Sequence, residues 1–63
     1  MKGFLNLGRG NDINIDVVNY IAVSNGRYFV KDIYGGSYEI SKKTFDRAIK
    51  EFGKEILTKK ENR

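Results

Sequence analysis

The dipeptide Asn25-Gly26 is the feature that most restricts what this chain can fold into. A two-residue hairpin turn needs positive φ at both central positions, and Asn and Gly are the residues that tolerate it. The flanking runs are rich in β-branched and aromatic residues, Tyr20 to Ser24 before the turn and Arg27 to Tyr34 after it. Such residues fit a pleated, half-buried surface. The dipeptide therefore predicts a β-hairpin. Gly35-Gly36 predicts a second tight turn, with Ser37 to Ile40 returning as the next strand. Two hairpins in succession make an antiparallel meander.

Upstream, Phe4 to Leu7 reads as a short strand, and G-R-G-N-D as turn chemistry. Ile13 and Ile15 alternate with polar neighbours, as strand residues do. D-V-V-N at 16–19 reads as a bend or a single helical turn. At Ser41 the period changes. Phe45, Ala48, Ile49, Phe52 and Ile56 recur at spacings of three and four, one apolar stripe of an amphipathic helix. Ser41 is its expected N-cap and Gly53 its expected fray point. Phe4, Phe29, Phe45 and Phe52 are expected in the core, and Tyr28 and Tyr34 are candidates for a surface platform.

The expected fold is therefore α+β: a small antiparallel β-meander of four to five strands with one C-terminal α-helix packed on one face. One domain spans residues 1–57, and the charged residues 58–63 form an expected disordered tail. Pairing the strands exposes a tension. Two-residue turns at both dipeptides oppose Ile21 to Val30, Ile33 to Tyr38, and Lys31 to Ile40. One sheet face then carries Ile21, Val23, Tyr28, Val30 and Tyr34, the other Tyr20, Ala22, Phe29, Ile33, Tyr38 and Ile40. Both are apolar, and one helix covers only one. Either a bulge shifts the register, or the uncovered face meets another subunit or a partner.

The chain has 63 residues and neither cysteine nor histidine. A domain this short buries only about 60% of the surface its unfolded form exposes, so packing or self-association must stabilise it. The missing residue types remove disulfides, thiolate zinc sites, and the commonest catalytic bases and nucleophiles. No membrane span is expected, and the expected location is cytoplasmic. G-R-G-N lacks the third glycine and the following helix of a dinucleotide loop, and lacks the G-K-[ST] of a Walker loop. It reads as a turn between strands, with Arg9 at its tip. Asp12 and Asp16 lack the spacing of a calcium loop. No catalytic residue, metal site or cofactor is expected.

Charge is the remaining signal. The net charge is +4, and the first forty residues are balanced. The whole excess lies after Ile40. Lys43, Arg47, Lys50 and Lys54 follow at spacings of four, three and four, on one side of the helix. Such asymmetry points to an anionic partner, nucleic acid first. The candidate phosphate contacts are Arg9, Arg27, Lys31, Lys42, Lys43, Arg47 and Lys50.

F-L-N-L-G-R-G-N followed by V-V-N-Y-I-A-V-S resembles the start of the RemA family, small bacterial regulators of extracellular matrix genes. G-R, a strand, and then Y-E-I-S-K-K-T-F-D-R-A-I resemble that family's closing strand and helix. The resemblance implies an oligomeric, ring-forming DNA binder that uses arginines, and Arg27 after Gly26 falls on a match. Asp16, Val17 and Val18 stand where the family has a further arginine. I-D-V-V-N-Y-I and N-G-R-Y-F-V-K-D-I-Y-G-G-S-Y-E-I are also similar to the LytTR DNA-binding domain and to the short FlbD proteins. The functional expectation is a small non-enzymatic DNA-binding regulator acting as a homo-oligomer. The alternative is a protein-binding module or inhibitor, from a phage or mobile element, using an exposed apolar sheet face.

Overall fold

The computed structural model describes residues 3–8 and 10–61. The fold is α+β with mostly antiparallel strands and one helix packed on a sheet. Strands β1 (Phe4–Gly8) and β2 (Asn11–Asn14) form a two-stranded hairpin. A single 3-10 turn (Ile15–Val17) leads into β3 (Val18–Ser24), β4 (Arg27–Asp32) and β5 (Ser37–Ile40). Helix α1 (Lys42–Phe52) and a last strand, β6 (Leu57–Lys60), follow. The larger sheet has the order β5-β4-β3-β6.

The N-terminal hairpin closes through glycine. Gly8 and Gly10 have φ of +90° and +77°, and the Gly8 amide donates to Asn6 Oδ1 at 2.6 Å. Leu5 pairs with Ile13, and both are buried. Asn14 caps the 3-10 turn, its side chain accepting from the Asp16 amide at 2.8 Å.

The first meander turn forms as expected. Asn25 and Gly26 have φ of +52° and +76°, and Val23 pairs with Tyr28 and Ile21 with Val30. The second turn does not. Lys31 pairs with Ser37 and Tyr28 with Ile40, a slip of three residues from the two-residue expectation. An odd slip sends every β5 side chain to the opposite face. Ile40 therefore joins Ile21, Tyr28 and Val30, where it is buried. This resolves the tension between two apolar faces. A separate bulge between Val18 and Tyr20 lets the start of β3 pair with Asp32.

The inner face packs against α1 and the hairpin. Leu5, Ile13, Ile15, Ile21, Val30, Ile40, Ala48 and Ile56 form one buried cluster. Tyr28 stacks on Phe45 with ring centroids 4.4 Å apart, so Tyr28 belongs to the interior side and not to a surface platform. Phe45 and Phe52 are partly buried against the cluster, Phe29 is half-buried on the outer face, and Phe4 lies outside the core at 65% exposed.

The C-terminal expectation needs correction. Residues 58–60 are not part of a disordered tail; with Leu57 they form β6, which pairs in parallel with β3, from Tyr20 opposite Leu57 to Val23 opposite Lys60. The Glu61 amide extends the ladder to the Val23 carbonyl at 2.8 Å. The two residues beyond Glu61 lie outside the described residues. All four β6 residues are exposed, so the strand is held by its backbone ladder and by contacts on the outer face. A chain cut after Ile56 should lose about 2 kcal/mol, roughly a 10 °C fall in Tm by circular dichroism. An unchanged Tm would show that the ladder contributes nothing.

Candidate nucleic-acid interface

Helix α1 begins where the sequence places its cap. The Ser41 side chain accepts from the Thr44 amide at 3.1 Å, and the Phe45 amide donates to the Ser41 carbonyl at 2.9 Å. Thr44 and Ala48 are buried, and Phe45 lies on Tyr28. That side of the helix faces the sheet. At 100° per residue, Lys43, Arg47, Lys50 and Lys54 project from the opposite side, and all four are exposed. Lys54 stands just past the last helical turn, after the Gly53 cap.

These cations are not equivalent. Lys42 pairs with Asp46 at 3.0 Å, which offsets its charge and raises its pKa, chiefly through that hydrogen bond. The Arg47 guanidinium donates to the Asn6 carbonyl at 3.4 Å, a long contact that leans the side chain toward β1. Lys43 and Lys50 have no ion pair among the described residues. Asp46 and Glu51 flank the stripe and dilute its field.

Arg27 and Lys31 sit elsewhere. They alternate along β4 with Tyr28 and Val30, which face the core, so they project from the outer face of the sheet. Arg27 pairs with Glu39 at 3.3 Å, with side chains 68% and 51% exposed. Lys31 lies over the Phe29 ring at 5.7 Å. Lys59 lies over Tyr20 at 4.6 Å, and the Tyr20 hydroxyl donates to Glu61 at 3.1 Å. That bond, more than burial or the charge on Glu61, raises the tyrosine's pKa. The lysine stems cover much of the apolar surface beneath them. The outer face is thus half-covered by its own side chains, with Ala22 fully buried.

The sequence-predicted contacts therefore separate into two groups. Lys42, Lys43, Arg47 and Lys50 belong to α1, and Arg27 and Lys31 to the far side of the sheet. Arg9 lies outside the described residues. Lys59 joins the sheet group and was missed, because its segment carries too few apolar residues to read as a strand. Among the described residues, no cluster of acidic side chains could hold a metal ion, and no helix is long and apolar enough to cross a membrane.

The β4–β5 turn holds the most organised polar group. Asp32 is buried, and its Oδ1 accepts from the Gly36 amide at 2.7 Å and the Tyr34 amide at 2.9 Å. Its Oδ2 accepts from the Tyr38 hydroxyl at 2.9 Å. The Gly36 amide leads these three donors in holding the carboxyl below its ordinary range, against the burial that acts the other way. A Cβ at Gly36 would lie 2.5 Å from Asp32 Oδ2, so a side chain there displaces the carboxylate. Beyond this network, Ile33 and Tyr34 are exposed at the turn's tip.

Compared with protein-family models, with curated proteins and with solved structures, the chain shows no match.

The Asp32 carboxylate gives a pH prediction. Its folded pKa lies below the unfolded value near 3.8, so its stabilisation is complete above that value. It is lost as pH falls through the folded pKa. Tm should therefore drop on acidification below about pH 4, and Asp32→Asn should flatten that drop while lowering Tm at neutral pH. Gly36→Ala should lower Tm at neutral pH as well. An acid profile unchanged by Asp32→Asn would remove the carboxylate from this role.

Proposed function

We propose that the protein is a small non-enzymatic DNA-binding regulator of the cytoplasm, acting as an oligomer, with the outer side of α1 against the phosphate backbone. The observation that carries this reading is the exposed row Lys43, Arg47, Lys50 and Lys54, set opposite the face that anchors the helix. A rigid helix presenting cations at one-turn intervals meets phosphates without reordering a loop. The resemblance to RemA regulators agrees in class. The helix row and the Arg27–Lys31 pair project from opposite sides, so a single straight duplex meets one group at a time. The helix group is favoured, because Arg27 is already offset by Glu39. The alternative that uses a bare apolar sheet face is less favoured, because lysine stems half-cover that face.

Fluorescence anisotropy on random-sequence duplex DNA tests the reading. Four phosphate contacts give a log–log salt slope of about −3.6. Arg47→Ala or Lys50→Ala should reduce that slope by about one unit, and Arg27→Ala should leave it unchanged. Light scattering at micromolar concentration should give a mass above the 7.2 kDa of one chain. Absence of binding at low salt would overturn the DNA assignment, and a clean 7.2 kDa mass would overturn the oligomer.

A further inference from the structure

The larger sheet has two edges, and they are treated differently. β6 carries Lys59 and Lys60, the kind of charged edge that discourages pairing with another chain. β5, Ser-Tyr-Glu-Ile, carries no lysine, arginine or proline. Among the described residues its backbone ladder runs only to β4, leaving alternate N–H and C=O groups turned outward.

That edge borders an open groove of about 900 Å³. Tyr38, Glu39 and Ile40 line it in succession, and Asn11, Asp12 and Ile13 line it from the hairpin. Side chains of a strand alternate between faces, so three consecutive residues meet one cleft through the strand's edge. The hairpin closes the far wall. The walls also give the groove a chemical bias. Partly exposed Leu7 supplies apolar surface beside the edges of buried Ile13 and Ile40, Asp12 and Glu39 supply negative charge, and no described lining residue is a cation. The described lining is therefore acidic on a protein of net charge +4. Glu39 also touches Arg27, but that pair is exposed and gives little hold on the carboxylate.

We propose that this groove binds an extended basic peptide segment of a partner protein, which adds as a strand to the β5 edge. Main-chain bonds to β5 supply the affinity. Alternate side chains divide between the apolar floor and the acidic rim. The groove's lining includes none of Lys43, Arg47, Lys50 and Lys54, so its test is read independently of DNA binding.

Amide hydrogen exchange followed by NMR on the whole chain tests this. The probe is a capped six-residue peptide of alternating lysine and valine. At ten times its Kd, the outward-facing amides of Ser37–Ile40 should slow by about tenfold. Asp12→Asn, at an exposed position, should weaken the peptide several-fold while leaving the melt unchanged. A glutamate–valine peptide and a lysine–valine peptide with a central proline should both fail. The proposal is overturned if no peptide slows these amides at millimolar concentration, or if the glutamate peptide does so equally. It is also overturned if duplex DNA protects them in the peptide's place. Protection that grows with protein concentration in the absence of peptide would assign the edge to a second copy of the chain and overturn it equally.

Discussion

The position of Ile40 depends on one carboxylate. Asp32 accepts from two backbone amides and a tyrosine hydroxyl, and those bonds organise a loop four residues long between β4 and β5. The Asp32 amide in turn donates to the Gly36 carbonyl at 3.1 Å, and the Ile33 amide to the Val17 carbonyl at 2.9 Å. The loop is tied to the sheet on both sides. A two-residue turn at Gly35-Gly36 would leave Asp32 without this shell, burying a charge unpaired. The longer loop satisfies the charge and moves β5 by three residues. Burial of Ile40 and the exposure of Ile33 both follow from that shift.

The same shift governs which surfaces remain for binding. With Ile40 turned inward, the outer face of β5 presents Ser37 and Glu39, and Glu39 reaches Arg27. An apolar second face becomes a mixed one of rings under lysines. The helix takes the inner face and frees its opposite side for charge. The hairpin leans on β1–α1 contacts, such as Arg47 to Asn6, and leaves a groove beside β5. Cationic and acidic surfaces thus lie on different parts of a chain whose radius of gyration is 10.7 Å.

Local chemistry was legible where one residue pair decides the geometry. Asn25-Gly26 sets the first turn through two positive φ angles, and Ser41 sets the helix start through one side-chain bond. Helical spacing places Phe45, Ala48 and Phe52 against the sheet, but α1 ends at Phe52, so Ile56, expected on the same stripe, reaches the core from the turn that follows. The second turn was misread because Gly35-Gly36 satisfies a local rule, while the competing term is a network joining Asp32 to Tyr38 across the loop. Strand β6 was invisible for a different reason. Its residues bury almost nothing, and its stabilisation comes from a partner strand more than thirty residues earlier. Hydrophobic patterning carries no trace of a strand held by its backbone.

The cations separate for a reason of their own. Read along the chain, Arg27 and Lys31 are followed by the helix lysines with only a strand between them. In space, the alternation of β4 sends the first pair to the side of the sheet that α1 does not touch. A sequence reports how many charges a surface can gather. The face each one occupies is set by strand parity, and parity depends on every turn being counted correctly. Here a two-residue turn at Gly35-Gly36 gives way to one that sets Asp32 opposite Gly36, and that odd slip of three residues carries Ile40 to the core and Glu39 to the outer face.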